Sequence, residues 1–348
     1  MTSQDRLTIR KTDLEAAVAA GVIDSSVADR LTAFVQTAGG SQADEENLRL
    51  ISSFNDIFVT IGLALFLGAL AYIVSDLGAS GTALAIAGAS WALAEMFTRI
   101  KRLALPSIVL LVVYSLAAFI CIASWLAPDL GIFDAVNRGG PTMPLAAAGI
   151  ATTLLVGVHW LRFRVPITIA AGCAALAITA IALAHGYAPE LFRAHPILVM
   201  VPVGLAVFAL AMWYDISDRQ RLTRRTDIAF WLHLLAAPMI VHPIVAELTT
   251  LGDMTLADAG LILALFIILG IVALVADRRA LLVSSLIYLG YAAYTLISTT
   301  AWGSSTYAFA VLAVGAIVLL LSVAWRPLRK LLLTLMPVTV RAHVPEPA

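Results

Sequence analysis

The residues most able to do chemistry in this 348-residue chain are concentrated in one apolar stretch, residues 226–248, which reads TDIAFWLHLLAAPMIVHPIVAEL. Aliphatic residues separate Trp231, His233, His242 and Glu247 within it. An Asp, Lys or Arg at the centre of a membrane helix costs about 2.5–3.5 kcal/mol to insert, so ionisable residues in such stretches are candidates for a proton or substrate pathway. These four residues are our main candidates for such a pathway.

Two prolines in the same stretch add to its polar character. Pro238 and Pro243 would each remove a backbone hydrogen bond and free carbonyl groups at membrane depth, as in the broken helices of transporters. His233 and His242 lie nine residues apart, which places them half a turn out of phase and about 13 Å apart along a helix axis, too far to share a metal ion. Two interpretations remain: a ligand or proton site, or a kinked helix whose histidines hydrogen-bond to neighbouring helices.

Two further sets of polar residues are candidates for the same pathway. Tyr288, Tyr291 and Tyr294 share one helical face, which would either line a cavity or hold helices together through interhelical hydrogen bonds. Asp56 and Glu95 lie near the ends of two apolar stretches. For these two acids we favour solvation or an ion pair at the membrane interface over a functional role.

The remaining reactive side chains predict no catalytic centre. Cys121 and Cys173 fall inside apolar stretches and are expected to be small core residues rather than a disulfide or a metal pair. His159, beside Trp160 and Arg162, is expected at the membrane interface. The chain has no P-loop, no GxSxG, no HExxH and no CxxC motif. We therefore predict no catalytic residue, metal or cofactor, and an enzyme is the least favoured class.

The elements that would position these residues are membrane-spanning helices. The chain is 61% hydrophobic and 13% charged, against roughly 25% charged residues in soluble domains. Because apolar runs of about 20 residues cross the hydrocarbon core as helices, the sequence predicts an all-α polytopic bundle of about ten spans. The predicted spans are residues 55–75, 80–98, 103–126, 142–161, 165–185, 196–214, 228–249, 257–276, 280–300 and 305–325.

The distribution of basic residues predicts the orientation of these spans. With a cytoplasmic N-terminus, only Arg138 and Arg193 of the 22 Lys and Arg residues fall on the outer side. Short loops rich in Lys and Arg remain cytoplasmic. We therefore expect a multi-pass protein of the bacterial inner (plasma) membrane with both termini in the cytoplasm. The net charge of zero gives no reason to expect a nucleic-acid partner.

Arginines also recur where the chain returns into the membrane. Arg102, Arg164, Arg225 and Arg279 each begin a returning span, and the segments RLALPS, RVPIT and RALLVSS look alike. This rhythm has two interpretations. Either the hairpins are related repeats, or any chain of short hairpins whose basic loops lie in the cytoplasm would show this spacing.

The two ends of the chain differ from its middle. Residues 1–50 predict a soluble hairpin with a polar linker, in which one short helix ends near Gly21 and a second begins near Ser25. Residues 51–326 form the predicted transmembrane domain. The tail, residues 327–348, is expected to begin as an amphipathic helix on the membrane surface. The expected partners are the lipid bilayer and a protein that binds the hairpin.

The N-terminal region also carries a resemblance. The segment LEAAVAAGVIDSSVADRLTAFV is followed by IGLALFLGALAYIV, within about the first 75 residues. These residues resemble a family of predicted bacterial membrane proteins of unknown function, in which a soluble helical hairpin precedes the transmembrane helices. The resemblance implies this layout and implies no activity, cofactor or site residue.

Two functional classes follow from these patterns. A secondary transporter or flippase of small or amphipathic solutes is favoured by the number of spans, the arginine rhythm and the prolines of the seventh span. The alternative is a non-catalytic membrane scaffold or sensor that acts through its N-terminal hairpin.

Overall fold

The computed structural model describes residues 11–40, 54–128, 142–219, 221, 223–250, 255–283, 286–298, 306–337, 341 and 344. Every regular element within these residues is helical, which confirms the all-α fold predicted from the sequence. The chain divides into two compact units, one of Met1–Asn47 with Ala348 and one of Leu48–Pro347.

The first unit contains a helical hairpin of α1 (Lys11–Ala19) and α2 (Ser25–Gly40). Gly21 follows α1 with a left-handed backbone at φ +69°, and the amide of Val22 donates to the carbonyl of Ala17 at 2.9 Å. A left-handed glycine at this place lets later amides satisfy carbonyls that the helix leaves free. The turn therefore lies where the sequence predicts it.

The second unit contains nine helices that are long and apolar enough to cross a membrane, counted over the described residues. They support the prediction of a multi-pass membrane protein. These helices are α3 (Phe54–Ile73), α4 (Gly78–Ala94, continued by a π-helical turn over Glu95–Ile100), α5 (Ala104–Leu126), α6 (Met143–Phe163), α7 (Ile167–Tyr187), α9 (Ile197–Ser217, after the short α8, Pro189–Ala194), α10 (Arg224–Thr250), α11 (Leu256–Ala276) and α14 (Thr306–Leu335).

The ninth predicted span, residues 280–300, is described in two pieces. Helices α12 (Ala280–Val283) and α13 (Leu286–Ser298) are each too short to cross a bilayer alone. Residues 284 and 285 lie outside the described residues. Nine helices long enough to cross a membrane are described, and the count of ten spans stays a prediction.

The last helix is longer than the sequence predicts. Helix α14 has 30 residues, or about 45 Å of helix, and it continues through Pro327 where a separate tail helix is predicted. A proline inside a helix removes one backbone hydrogen bond. Trp325 and Arg329, on either side of Pro327, are both buried. Packing on both sides of the proline therefore keeps this part of α14 helical.

Four short turns join consecutive helices, and the described residues of each turn include a non-glycine residue with a left-handed backbone. These residues are Arg102, Arg164, Arg221 and Asp277, with φ between 53° and 56°. Left-handed backbone in a residue other than glycine costs of order 1–3 kcal/mol and persists only where surrounding contacts impose it. The predicted rhythm therefore has a structural counterpart in the turns, although in the last two turns the left-handed residue is not the predicted arginine.

Glycines allow two of the helical hairpins to pack closely. A Cβ atom on Gly149 of α6 would clash with the hydroxyl of Thr179 and lie 2.8 Å from the carbonyl oxygen of Ala175, both on α7. A Cβ on Gly204 of α9 would lie 2.9 Å from the side chain of Ile240 on α10. Small residues at such positions let helix backbones approach each other in membranes.

Candidate functional site

The deepest ionisable cluster in the described chain centres on His233, one of the predicted residues. His233 lies in α10 with its side chain fully buried, and its Nε2 is 2.8 Å from a carboxylate oxygen of Asp215. Asp215 lies in the last turn of α9 with 4% of its side chain exposed. Two ionisable groups on adjacent helices are thereby joined away from solvent.

Arg278 completes this cluster from the turn after α11. Its Nε lies 3.2 Å from each carboxylate oxygen of Asp215, and its Nη2 also contacts Oδ1 of Asp215. The same Nη2 donates to the backbone carbonyl of Thr226 at 3.3 Å. The side chain of Arg278 is fully buried. A forked arginine–carboxylate pair of this kind is charge-assisted and fixed in orientation.

The position of Asp215 is not one that helix propensity favours. An acid in the last turn of a helix faces the partial negative charge of the free carbonyl groups there. Its ionised form therefore depends on the donors of Arg278 and His233, which come from other elements. Arg278 itself is held in place because its amide donates to the carbonyl of Ala273 at 2.8 Å, which closes the end of α11.

A second buried acid, Asp218, fixes the turn between α9 and α10. One carboxylate oxygen of Asp218 accepts from the amide of Thr223 at 2.9 Å and from its hydroxyl at 2.7 Å. The same oxygen accepts from the hydroxyl of Thr226 at 3.0 Å. The turn therefore holds Thr226 where its carbonyl meets Arg278.

A third buried acid, Asp277, connects the cluster to α14. Its Oδ2 lies 3.1 Å from Nη1 of Arg221, and its Oδ1 accepts from Nε1 of Trp325 at 2.9 Å. Arg329 of α14 lies 3.6 Å from the same carboxylate and donates to the carbonyl of Leu274 at 3.1 Å. Burial, followed by the nearby charge of Arg278, lowers the pKa of Arg221, yet an arginine remains protonated in proteins.

Two buried nitrogen atoms of the cluster, one on the histidine and one on the arginine, are left without a hydrogen bond in the described chain. Among the described residues, Nδ1 of His233 and Nη1 of Arg278 have no hydrogen-bond partner. A buried polar atom without a partner costs free energy that a ligand, a water molecule or a proton can recover. The cluster can therefore hold a proton on the histidine next to a fixed carboxylate and a fixed cation.

The structure separates the two predicted histidines into different surroundings. His242 is exposed, and its Nδ1 lies 2.5 Å from the hydroxyl of Tyr288 on α13. Trp231, Pro238 and His242 follow helical spacing along one face of the predicted span, which predicts that His242 faces the bundle interior. The exposure of His242 does not confirm this prediction. Spacing defines a shared face, but which face is buried depends on the neighbouring helices. Trp231 is half-buried among side chains of α9 and α10, and Glu247 is also half-buried.

None of the other candidates whose side chains are described joins the cluster around His233. Tyr294 is 41% exposed, and the side chain of Tyr291 lies outside the described residues. Asp56, expected to be solvated or paired at the interface, is fully buried at the start of α3. Glu95 forms the predicted ion pair, with its two carboxylate oxygens 2.7 and 2.9 Å from Nε and Nη2 of Arg162.

His159 was expected at the membrane interface but lies in a buried aromatic group. It has 1% of its surface exposed. Its ring centroid is 4.5 Å from that of Phe163, 5.5 Å from that of Tyr114 and 5.7 Å from that of Trp91. His159 therefore packs mainly through its ring, whereas His233 has an ionic partner.

Sequence reasoning missed Asp215 and counted Arg278 only as a basic loop residue. One signal was available: Asp215, Asp218 and Asp277 lie on the side that carries the basic turns, so not all of those arginines face solvent or lipid headgroups alone. Pairing each acid with its arginine requires the packing of helices that are far apart in sequence.

Nothing in the described chain forms a metal centre, since no group of three His, Cys, Asp or Glu side chains there could hold a metal ion. Comparisons with protein-family models, with curated proteins and with solved structures return no match for this chain. The resemblance of its first 75 residues to a family of bacterial membrane proteins stays a prediction.

Proposed function

We propose that this chain is a secondary transporter or flippase of small or amphipathic solutes in the bacterial inner membrane, with both termini in the cytoplasm. The observation that carries the proposal is the buried group of Asp215, His233 and Arg278. Buried ions are expensive and in membrane proteins they commonly mark substrate or proton pathways. The group lies beside the basic turns, which are cytoplasmic in the proposed orientation.

In this proposal the group is a proton-sensitive gate. While the carboxylate of Asp215 on α9 is ionised, its pair with Arg278 joins the hairpin of α9 and α10 to the hairpin of α11 and α12. A proton taken up at Nδ1 of His233 places a second positive charge beside Arg278, with Arg221 also nearby. Repulsion between the protonated histidine and the arginines weakens the ion pair of Arg278 with Asp215. The two hairpins can then separate. A solute site between them then opens to the cytoplasm.

Thiol labelling tests the gate directly. Cys121 and Cys173 are first replaced by Ala, and Ala237→Cys is then introduced, because Ala237 is fully buried one turn beyond His233. We expect a membrane-impermeant maleimide to label this cysteine faster at low pH and in Asp215→Asn. Rates are divided by those of the exposed Ser217→Cys variant, which corrects for the pH dependence of the thiol. No labelling from either side under any of these conditions would contradict the gate.

Transport itself is tested in proteoliposomes that contain a pH-sensitive dye. Solutes of different charge and size are added outside, and proton movement is followed for the wild type, Asp215→Asn and Glu95→Gln. We expect at least one solute to move protons in the wild type and in Glu95→Gln but not in Asp215→Asn. A signal that is the same in all three proteins would dissociate transport from Asp215.

The proposed orientation has its own test in reporter fusions. Fusions at residues 101, 163, 221 and 278 should report the cytoplasm, and fusions at 78, 133, 190, 253 and 303 the periplasm, because the basic residues lie in the first set of loops. Two adjacent loops that report the same side would contradict the ten-span arrangement.

A second function, a scaffold or sensor, is favoured by the N-terminal unit. Its hairpin exposes 75% of Val22, 38% of Val27 and 42% of Leu31, which is suited to contact with a protein partner. A chain that starts near Gly40 should still fractionate with membranes, because the first span can direct insertion. Loss of signalling with intact transport in that truncated chain would assign the hairpin a separate role.

A further inference from the structure

A groove of about 600 Å³ lies between the turn that follows α6 and the turn that precedes α10. Its walls carry three arginines, Arg164, Arg224 and Arg225, all of them exposed. Nη1 of Arg224 lies 3.4 Å from the backbone carbonyl of Arg164, so the two turns meet at the groove. This places three positive charges around one opening at the end of the membrane-spanning helices.

These charges are not neutralised by ion pairs within the described residues. The described lining of the groove has no acidic side chain, and none of the three arginines has a carboxylate within ion-pair distance in the described chain. Asp227 is the nearest acid along α10, and its half-buried carboxylate interacts with Arg224 only at longer range. The groove therefore has positive charge available for an anion.

The rest of the lining suits a molecule that lies partly in the membrane. Trp160 and Trp213 flank the groove, and 57% of Trp213 is exposed. Tryptophan is enriched where membrane proteins meet the headgroup region. Ser217 and Thr223 line the groove beside the arginines, with hydroxyls that donate to the carbonyl of Tyr214 and the carboxylate of Asp218. The buried Ile228 contributes an apolar wall.

We infer that this groove binds the headgroup of an anionic phospholipid. The arginines bind the phosphate diester, for which the guanidinium fork is well matched. The hydroxyl oxygen of Ser217, whose proton is donated to the carbonyl of Tyr214, accepts from a headgroup hydroxyl, and the tryptophans contact the glycerol and upper acyl region. Basic pockets between transmembrane helices recognise anionic headgroups in this way.

A lipid fits the groove better than a free phosphate because charge and apolar surface adjoin there. Leu161, 73% exposed, and Ile216, 40% exposed, lie on α6 and α9 near the same turns and would face acyl chains. The bound lipid would bridge the hairpin of α6 and α7 to that of α9 and α10. The inference does not depend on transport and applies equally to a scaffold.

Lipid binding is tested with the full-length protein in neutral detergent, titrated with phosphatidylglycerol that carries brominated acyl chains. Bromine quenches tryptophan fluorescence, so we expect quenching of the wild type that is reduced in Trp213→Phe and largely lost when Trp160→Phe is added. Trp125→Phe is the matched control, because Trp125 is 73% exposed at the far end of α5. Equal loss of quenching in both variants would overturn the inference.

The charge requirement is tested with two double variants of neighbouring basic residues. Arg224→Gln with Arg225→Gln removes charge from the groove, and Lys101→Gln with Arg102→Gln removes the same charge from the turn before α5. We expect about fivefold weaker binding of phosphatidylglycerol for each groove arginine removed, and little change in the control. Equal weakening in both variants would show attraction to basic surface in general and would overturn the inference.

Two further ligands separate a lipid site from a general anion site. Brominated phosphatidylcholine should bind the wild type at least several-fold more weakly than phosphatidylglycerol, and inorganic phosphate at millimolar concentration should not displace the lipid. Equal binding of both lipids, or full displacement by phosphate, would overturn the assignment. Size-exclusion profiles check that each variant is folded. If an arginine variant does not fold, the difference in quenching between Trp213→Phe and Trp125→Phe tests the inference instead.

Discussion

Two regions of the transmembrane unit each have an ion pair that joins the ends of two helices, but the surroundings of the two pairs differ. In the first block, α4 to α7, Glu95 at the end of one hairpin pairs with Arg162 at the end of the next. In the second block, α9 to α12, Asp215 and Arg278 occupy the corresponding places. In both blocks the acid precedes the first left-handed turn residue, and the arginine is close to the second.

The difference between the two pairs is their burial. The side chains of Glu95 and Arg162 are 33% and 39% exposed, whereas those of Asp215 and Arg278 are 4% and 0% exposed. An exposed ion pair contributes little because water and salt screen it, while a buried pair fixes its partners strongly. The second block is therefore where a change of charge would be transmitted to the helices.

A second difference lies in the next helix of each block, α5 in the first and α10 in the second. Tyr114 follows the left-handed Arg102 at the same distance along the chain as His233 follows the left-handed Arg221. The ring of Tyr114 stacks on His159, whereas the ring of His233 binds Asp215. The first block thus has an aromatic interior where the second has an ionisable one. The buried ion pair of the second block and the aromatic packing of the first therefore predict different responses to substitution.

The largest expected effect is that of Arg278→Gln. It leaves the buried carboxylate of Asp215 without its cation, which costs about 3–5 kcal/mol of unfolding free energy. Denaturant titration in detergent micelles measures this loss. Arg162→Gln is the control in the first block, with a much smaller expected loss. Equal losses would contradict the difference in burial, and adding Asp215→Asn to Arg278→Gln should recover part of the stability.

His233→Gln should have the next largest effect. The variant disturbs a hydrogen bond to a buried carboxylate, and a buried group left without its partner costs about 1–3 kcal/mol. Tyr114→Phe is the matched change in the first block, because the ring contacts of Tyr114 remain. The same unfolding measurement should give a smaller change for Tyr114→Phe, and the opposite order would reverse the roles of the two blocks.

Gly149→Ala in the first block and Gly204→Ala in the second compare how much an added methyl group at a close helix contact destabilises each block. An added Cβ meets the backbone of α7 at Ala175, and overpacking of this kind costs about 1–3 kcal/mol. Gly204→Ala should cost less, because the nearest backbone atom to its added Cβ, the carbonyl carbon of Met239, lies at 3.1 Å, whereas the carbonyl oxygen of Ala175 lies 2.8 Å from the added Cβ of Gly149. Gly157→Ala is the control, since no atom lies within 4 Å of its Cβ position. Thermal unfolding in detergent ranks the three variants.

The smallest expected effect is that of Glu95→Gln. The carboxylate is bound by Arg162 and Arg99 at the surface of the first block, and screened surface pairs contribute little. We expect its unfolding midpoint to stay within experimental error of the wild type at physiological salt. A loss comparable to that of Arg278→Gln would show that Glu95 is structurally equivalent to Asp215 despite its exposure.

The crossing helices were accessible from sequence because each depends on a local property. Helix α11, for example, follows from an apolar run of the right length, and its start is set by Thr255 and Asp258, which form a capping box. For the ninth predicted span, the described residues form two helices that are each too short to cross a bilayer alone, so that span stays a prediction. The prediction for α14 stopped too early, since the burial of Trp325 and Arg329 is not a local property.

The sequence by itself determined the fold class, the long apolar helices of the described residues and the concentration of basic residues at one set of turns, because the bilayer acts on each segment through length and polarity alone. Only the tertiary structure decided which polar residues meet. His233 contacts Asp215, which also pairs with Arg278, whereas His242 hydrogen-bonds to Tyr288 at the surface. The physical reason is that burial and pairing depend on contacts between helices distant in sequence, and helical periodicity does not specify which neighbour each face receives.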